Sequence, residues 1–315
     1  VYEAIDYIDK LHQQDPSIMG LQTGYSDLDR IILGLRPGEM FVLAARPSIG
    51  KTALALNMAE HMALASEPTP VGIFSLEMST RQLVLRVLCS LARINLGDVR
   101  DCSVSGGRWN EVMTAGQRLK HAPLFIDDAS ANLDIMELRA RARQMKSDHD
   151  IGILFIDYLQ LIKSTGGNRN TTRENEVAKL SGGIKSLAKE LDIPIVVLAQ
   201  LNRQAEQAGQ RPKLSHLRES GAIEQDADVV ALLHRERDIE NLTAGELNQG
   251  VEAELIVAKH RNGRCGVAPL LFFPMYTRFE NASAILQNTR EATDALLDRR
   301  EQLIALLEQF DAAAV

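Results

Sequence analysis

The residues best suited to chemistry are Lys51, Thr52 and the loop Arg46-Pro47-Ser48-Ile49-Gly50 directly before them. An apolar run from Phe41 to Ala45 precedes the loop and predicts a buried strand, and an Ala- and Leu-rich helix follows it. In this arrangement, backbone N–H groups and a helix N-terminus converge on an anion. Gly50 lets the backbone approach phosphates, Lys51 can reach the β and γ groups, and Thr52 offers a hydroxyl to Mg²⁺.

The usual first glycine of such a loop is replaced by Ala45, so the common sequence pattern is not fully matched. The alternative is a plain strand–turn–helix, but Gly-Lys-Thr in the expected context favours nucleotide binding. We therefore expect a bound nucleotide with Mg²⁺. The predicted contacts come from Ser48, Gly50, Lys51, Thr52 and Ala53.

Two carboxylates follow predicted strands. Asp157 ends the apolar run Ile151 to Ile156 and, one parallel strand away from the phosphate loop, suits a carboxylate that holds Mg²⁺ directly or through water. The alternative is an Asp that caps a turn. Residue 158 is Tyr, so this strand does not supply the glutamate that many ATPases use to orient water. Glu77, just past the strand Val71 to Ser75, can polarise that water, although it could also serve as a favourable charge at the start of the next helix.

Gln200 ends the predicted strand Ile193 to Ala199. Its amide can both donate and accept, so it could sense the γ-phosphate and signal to the loop that follows. A structural, hydrogen-bonded Gln is the alternative.

Two basic loops, Lys163 to Arg173 and Asn202 to Arg218, leave the same edge of the sheet. They contain no aromatic residue, which suits a phosphate backbone better than base stacking. Each basic residue alone reads as a solvated loop residue, but together they indicate polynucleotide binding coupled to hydrolysis. They are Lys163, Arg169, Arg173, Arg203, Arg211, Lys213 and Arg218.

Lys259 and Arg261 lie two residues apart at a strand end, so they project to one side while His260 faces the other. No neighbour in the sequence obviously pairs them. They are either a surface pair or cations delivered to the phosphates of a neighbouring subunit.

These residues need a scaffold, and strands alternate with helices along most of the chain. Strands are predicted at Leu124 to Asp127, Val229 to Leu233, Val251 to Lys259 and Val267 to Phe273, besides those named above. Helices are predicted from Ser79, by a capping box, to about Ala92, and over Gly106 to Leu119, Leu133 to Lys146 and Glu174 to Glu190. The pattern predicts an α/β fold with a mainly parallel central sheet and helices on both faces, closed by an antiparallel hairpin at Asn262-Gly263.

We expect three parts: a short amphipathic helix within residues 1–19, a domain over residues 20–283 that the resemblance described below identifies as an ATPase domain preceded by a linker helix, and a helical tail over residues 284–315. Because the chain opens on an isolated short helix, we expect the sequence to be a segment cut at a linker.

The composition limits the class of protein. Hydrophobic residues make up 45% of the 315 residues, and no apolar run approaches the length of a membrane helix. The three cysteines and seven histidines show no metal-ligand spacing, which favours a reduced, cytoplasmic setting without zinc. The net charge of −7 provides no overall attraction to nucleic acid, so contacts with it must come from local basic segments.

The longer motifs resemble those of the replicative DNA helicases of the bacterial DnaB family, over roughly residues 20–283. The motifs are Ala45 to Thr52, Ser75 to Met78, Ile156 to Leu161, Gln200 to Arg203, Leu217 to Asp228 and Lys259 to Gly263. Alanine at position 45 is usual in that family.

The resemblance implies a RecA-like P-loop NTPase fold, a homo-hexameric ring, ATP hydrolysis between subunits, and 5′ to 3′ translocation on single-stranded DNA with unwinding of duplex. Implied partners are primase and a helicase loader, and the opening helix matches the family's linker helix. For the site it implies Glu77 as catalytic base, Asp157 for Mg²⁺, and Gln200 as γ-phosphate sensor. It further implies Lys259 and Arg261 as cations supplied in trans, and Arg86 as a nucleotide-site arginine. Arg218, Glu219 and Gly221 would lie on the loop that touches the DNA backbone, with Arg169 and Arg203 on the neighbouring basic loops.

Two other readings stay open at this point. A RecA-like recombination or repair ATPase would share the phosphate loop but form filaments on DNA, and the Arg218 to Asp228 run favours the helicase. An ATP-gated assembly module with weak turnover is the non-enzymatic alternative.

Overall fold

A computed structural model describes residues 19–128, 133–157, 173–201, 211–236 and 250–283. The predicted linker helix within residues 1–19 and the predicted tail over residues 284–315 lie outside these ranges, apart from Met19. At residues 173, 174 and 218–220 the backbone alone is described.

The core of the described chain is one sheet of nine strands in the order β3-β2-β4-β5-β1-β6-β7-β8-β9. The strands are β1 Met40–Ala45, β2 Val71–Ser75, β3 Leu124–Asp127, β4 Ile153–Asp157, β5 Ile195–Gln200, β6 Val229–His234, β7 Val251–His260, β8 Gly266–Phe273 and β9 Arg278–Asn281. β1 to β6 pair in parallel, and β7, β8 and β9 continue the sheet antiparallel. The predicted parallel sheet and terminal hairpin are confirmed, and β9 adds a strand that the sequence did not indicate.

The helices of the described ranges cover both faces of this sheet. They are α1 Ser26–Ile32, α2 Lys51–Ala63, α3 Thr80–Ala92, α4 Leu96–Arg100, α5 Gly106–Lys120, α6 Ile135–His149, α7 Arg173–Leu191 and α8 Gly221–Asp226. Short 3-10 helices form at Leu214–Ser220 and Pro274–Tyr276. None of these described helices has both the length and the apolar character needed to span a bilayer.

Burial explains why β1 carries an unbroken apolar run. Every residue of β1 is buried, and alternate side chains enter opposite cores. Phe41 and Leu43 pack with residues of α2 and α3, whereas Val42 and Ala44 pack with residues of α6 and α7. Each large side chain buried in this way stabilises the fold by about 1.5–3 kcal/mol.

Local signals explain where helices begin. Ser79 caps α3 through a capping box with Gln82, as predicted from the sequence. α6 begins at Ile135, later than predicted, because the Asp134 carboxylate accepts from the Glu137 N–H at 2.8 Å and thereby caps the helix. Leu133, predicted inside the helix, is instead buried just before its cap.

The prediction that the whole stretch from Asn202 to Arg218 is a loop is wrong from Leu214 onwards. The 3-10 helix Leu214–Ser220 runs directly into α8. Leu217 and Ile223 are buried in the same core as the apolar face of α7. Burial of these two apolar side chains stabilises helical structure in a segment whose polar composition is typical of a loop.

Candidate active site

The loop between β1 and α2 has the backbone of a phosphate-binding loop. Gly50 adopts φ 111°, a conformation that favours glycine. A Cβ at this position would lie only 3.0 Å from the Phe279 ring, so neither the conformation nor the space suits another residue. Ile49 is buried and anchors the loop, while Ser48 remains exposed.

Lys51 and Thr52 open α2 and meet Asp157 from the end of β4. The Thr52 Oγ1 hydroxyl donates to Asp157 Oδ2 at 2.8 Å, and Lys51 Nζ lies 3.9 Å from Asp157 Oδ1. β4 is separated from β1 by β5 alone. The structure therefore brings together residues 105 positions apart in sequence, at the strand ends where the sequence places them.

The oxygen atoms at this point fit Mg²⁺. Asp157 is only 5% exposed, and within the described ranges its buried Oδ1 accepts no hydrogen bond. A carboxylate with a spare oxygen and an adjacent hydroxyl are ligands that Mg²⁺ uses beside nucleotide phosphates.

Burial and neighbouring carboxylates have opposite effects on the pKa of Lys51. Burial lowers the pKa of Lys51, and the carboxylates of Asp157 and Glu77 raise it. Glu77 is therefore electrostatically coupled to the same ammonium. A phosphate group placed here would add a further anion to a lysine that is already shielded from water.

Glu77 lies exposed in a short turn between β2 and α3. The Ser75 hydroxyl donates to the Met78 carbonyl at 2.6 Å, and the Leu76 N–H donates to the Asp157 carbonyl at 2.7 Å. The turn is thus fixed to both strands that flank it. The carboxylate of Glu77 remains open to solvent.

Gln200 is the last residue of β5 and pairs in register with Ala45, the last residue of β1. Its exposed side chain therefore starts beside the phosphate loop. Arg86 is half-buried in the second turn of α3. Its nucleotide role rests on the family resemblance.

Lys259 and Arg261 lie at the opposite edge of the sheet. Asp228 binds the start of β1, because its N–H donates to the Met40 carbonyl and its Oδ2 accepts from the Met40 N–H. The Arg261 N–H in turn donates to the Asp228 carbonyl at 2.8 Å. Since β1 has six residues, its two ends lie about 17 Å apart. Arg261 therefore sits far from the phosphate loop of its own chain.

The expectation that nothing nearby pairs these cations is wrong. Lys259 Nζ donates to the carbonyls of Glu224, Gln225 and Ala227. Arg261 contacts the Gln225 carbonyl at 2.6 Å and Asp228 Oδ1 at 3.5 Å. The sequence could not show these partners because most of them are backbone carbonyls.

The predicted DNA-contacting residues lie between the two edges. Arg218 and Glu219 belong to the 3-10 helix, and Gly221 begins α8. Arg211, just before this segment, forms an ion pair with Glu254 at 2.6 Å. Glu254 lies opposite His234, the last residue of β6, at the edge of the sheet that carries the phosphate loop. The segment thus runs from the nucleotide edge to Asp228. Arg169 and Arg203 lie outside the described residues.

Arg235 is a residue of this site that sequence reasoning missed. It directly follows β6, is only 2% exposed, and its Nη1 donates to the Ile49 carbonyl of the phosphate loop at 3.4 Å. Its guanidinium also lies 5.1 Å from the centre of the Phe272 ring. The same strand-end rule that identified Asp157 applies to β6 and would have indicated Arg235.

Comparison with known proteins gives one consistent result. The family model described as the DnaB-like helicase C terminal domain matches residues 20–281. The replicative DNA helicase DnaB of Geobacillus stearothermophilus is 40% identical over 280 residues, which cover 89% of this chain and 60% of that protein. The DnaB of Leifsonia xyli is 44% identical over 285 residues, covering 90% and 60%.

Solved structures agree. A DnaB-like replicative helicase, studied for its interactions with primase, is 32% identical with a TM-score of 0.78, covering 89% of this chain and 66% of that chain. A solved ATPase domain reaches a TM-score of 0.79 at 31% identity, covering 89% and 97%. The chain spans about 60% of the length of the curated relatives named above. On the match to residues 20–281 and these identities, the chain belongs to the DnaB-like helicase C-terminal domain family.

Proposed function

We propose that this chain is the ATP-hydrolysing motor of a replicative DNA helicase. Six copies form a ring that translocates 5′ to 3′ on single-stranded DNA and unwinds duplex. The observation that carries the proposal is the separation of two half-sites within one chain. Lys51, Thr52 and Asp157 meet at one edge of the sheet, and Arg261 lies at the other. A head-to-tail ring brings such edges of neighbouring copies together.

At the first half-site, the backbone of Ser48, Gly50 and Ala53 and the ammonium of Lys51 hold the phosphates of ATP. Thr52 and Asp157 hold Mg²⁺, which when bound neutralises charge on the β- and γ-phosphates. Their hydroxyl–carboxylate contact of 2.8 Å supports this assignment.

Glu77 acts as the general base in this site. It accepts a proton from the attacking water, the water oxygen forms a bond to the γ-phosphorus, and the bond to the ADP oxygen breaks. Gln200, beside Ala45, senses the γ-phosphate. Arg86 contributes to nucleotide binding from α3.

The second half-site provides cations to the neighbour. The Arg261 guanidinium is planar and permanently charged, so it can hold the γ-phosphate through two hydrogen bonds. Its side chain is 48% exposed, which leaves it accessible to an adjacent subunit. Lys259 assists as a second cation.

DNA binding is assigned to the segment that joins the two edges. Arg218, Glu219 and Gly221 contact the phosphate backbone, and Arg169 and Arg203 extend this basic surface from the neighbouring loops. Because these contacts are to phosphates, we expect DNA binding without base specificity.

Partners beyond the ring belong to the full-length protein. The name of one solved relative records interactions with primase, and we extend primase contact, and contact with a loader, to the protein that contains this chain. The cytoplasmic location suggested by the cysteines stays a prediction. Family membership favours a helicase over the filament-forming recombination ATPase.

The decisive experiment measures unwinding of forked duplexes with a 5′ or a 3′ single-stranded tail, alongside DNA-stimulated ATPase and electron micrographs with ATP. The expected result is closed or split rings, ATPase stimulated by single-stranded DNA, and unwinding that requires the 5′ tail. Filaments on DNA would support the recombination ATPase, and nucleotide-dependent assembly without DNA stimulation would support the assembly module. Either result would overturn the helicase proposal.

A further inference from the structure

Lys259 caps the C-terminus of α8. Its ammonium reaches from the end of β7 to the carbonyls of Glu224, Gln225 and Ala227, the last two at 3.3 and 2.8 Å. The final carbonyls of a helix have no intrahelical partner, and a cation there both donates to them and opposes the helix dipole.

These contacts use the whole hydrogen-bonding capacity of Lys259. An ammonium has three N–H donors, and three acceptors are present. In this conformation Lys259 has no donor left for a phosphate. The proposed role of Lys259 on a neighbour's nucleotide therefore requires it to leave α8.

Arg261 is held less completely. Its Nη2 donates to the Gln225 carbonyl at 2.6 Å, while its Nη1 lies 3.5 Å from Asp228 Oδ1. A guanidinium has five donors and these contacts use two of them, so within the described residues Arg261 keeps donors for a phosphate. To reach a phosphate, Lys259 must therefore break hydrogen bonds to α8, whereas Arg261 still has unused donors.

α8 depends on this cap. The helix has only six residues, too few to be stable without tertiary contacts. Ile223 anchors one side in the core, and Lys259 holds the C-terminal end, with Arg261 as a second donor at the Gln225 carbonyl. The 3-10 helix Leu214–Ser220 runs directly into α8, so the two behave as one segment. Loss of the cap would loosen the segment to which DNA contact is assigned.

We propose that Lys259 is shared between two alternative partners, the C-terminal carbonyls of α8 and the phosphates bound by the adjacent subunit. When the adjacent site is empty, Lys259 caps α8, and when that site fills, the C-terminal carbonyls of α8 lose the three hydrogen bonds from Lys259. The segment Leu214–Asp226 thereby reports the nucleotide state of the neighbour. This inference rests on the proposed ring, in which Lys259 faces the adjacent phosphate loop.

Backbone hydrogen–deuterium exchange tests, in the unmodified chain, whether Lys259 leaves α8 when the adjacent site fills. Peptides covering residues 214–228 and 46–53 are compared with and without a non-hydrolysable ATP analogue plus Mg²⁺, at concentrations where rings are verified. Filling the site should protect residues 46–53 and should speed exchange in residues 225–227 about tenfold, as loss of charge-assisted hydrogen bonds implies. Protection of residues 46–53 in verified rings with unchanged exchange in residues 225–227 overturns the inference and leaves the proposed function intact.

A variant tests the cap without nucleotide. Lys259→Met keeps most of the side-chain length but removes the charge, so exchange in residues 225–227 should already be fast and should not respond to the analogue. Arg264→Gln is the matched control, because Arg264 lies in the same hairpin but donates to the Arg30 carbonyl instead. It should behave like the unmodified chain.

The outcomes separate the two proposals. Unchanged exchange in nucleotide-free Lys259→Met refutes the cap itself, whatever the analogue does. If the analogue fails to protect residues 46–53, the nucleotide-binding function is wrong. Lys259 then has no second partner, so the inference is also refuted. The comparison of Lys259→Met with the unmodified chain still shows whether Lys259 caps α8.

Discussion

The backbone N–H of Leu76 donates to the carbonyl of Asp157 at 2.7 Å, joining the turn that carries Glu77 to the strand end that carries the proposed Mg²⁺ ligand. Because the link uses backbone atoms alone, substitution of either side chain leaves it in place. The proposed base and the proposed metal ligand can therefore be removed one at a time without displacing each other.

Glu77→Gln should lower the ATP turnover number about 10²- to 10⁴-fold while nucleotide affinity changes little, because only activation of water is removed. Single-turnover hydrolysis and equilibrium binding of a fluorescent nucleotide separate the two effects. A parallel fall in affinity and turnover would mean that Glu77 has a structural role.

Lys51→Ala should lower ATPase activity by at least about 10²-fold, since the ammonium is the loop's proposed contact with the β- and γ-phosphates. Lys120→Ala, an exposed lysine at the end of α5, is the control and should retain full activity. Near-normal turnover in Lys51→Ala would refute the phosphate-loop assignment.

Arg261→Ala should reduce turnover about 10³- to 10⁵-fold, the range for an arginine supplied to a transferring phosphate. Mixing it with Lys51→Ala subunits should restore partial activity, because some interfaces then pair an intact loop with an intact arginine. Full ATPase of Arg261→Ala alone would disprove action in trans. Inactive mixtures in rings of confirmed composition would assign Arg261 to its own subunit or require every interface to be intact.

Arg218→Ala should weaken binding to single-stranded DNA equally across sequences. The slope of log affinity against log salt should become shallower by about one unit for each phosphate that the protein no longer neutralises. Fluorescence anisotropy with labelled oligonucleotides over a salt series measures this slope. Arg100→Ala, on the exposed end of α4, is the control. An unchanged slope with a lowered melting temperature would show that Arg218 only supports the fold.

Arg278→Met should lower the free energy of unfolding by about 3 kcal/mol, because it leaves Glu60 buried without its cation. Arg278 Nη1 lies 2.9 Å from Glu60 Oε1, and Glu60 is only 3% exposed. Arg143→Met, which removes an exposed partner of Glu190, should change stability little.

The destabilisation in Arg278→Met should depend on pH. Burial raises the pKa of Glu60 above its ordinary value, and Arg278 opposes that rise. A raised folded-state pKa contributes stability at low pH that is lost as the pH rises through that pKa, and removing Arg278 raises it further. The deficit should therefore be largest at neutral pH and shrink towards about pH 5. Chemical denaturation at several pH values measures it, and a deficit independent of pH would contradict an ionised Glu60.

The nucleotide half-site could be predicted from sequence because its parts follow local rules. Gly50, Lys51 and Thr52 form one contiguous motif, and Asp157 ends a strand whose apolar run is plain. Parallel strands bring their carboxyl ends to one edge, so the residues at strand ends already describe part of the site.

The other half of the arrangement could not be predicted, since it depends on contacts distant in sequence. The partners of Lys259 are backbone carbonyls more than thirty positions away. β9 has four residues and no apolar run, and its strand character follows from pairing with β8. Glu60 looks like a surface residue in sequence, but Arg278 makes its burial tolerable.

The packing of Phe279 against Gly50 has a consequence for synthesis of the protein. The Phe279 N–H also donates to the Asn57 side chain at 2.9 Å, so β9 supports both the phosphate loop and α2 from a position 222 residues later in the chain. A nascent chain on the ribosome therefore carries the complete Gly-Lys-Thr motif long before Phe279, whose aromatic ring supports the loop, has been synthesised. We therefore expect competence to bind nucleotide to arise late, once residue 279 has left the exit tunnel and the domain is almost fully made.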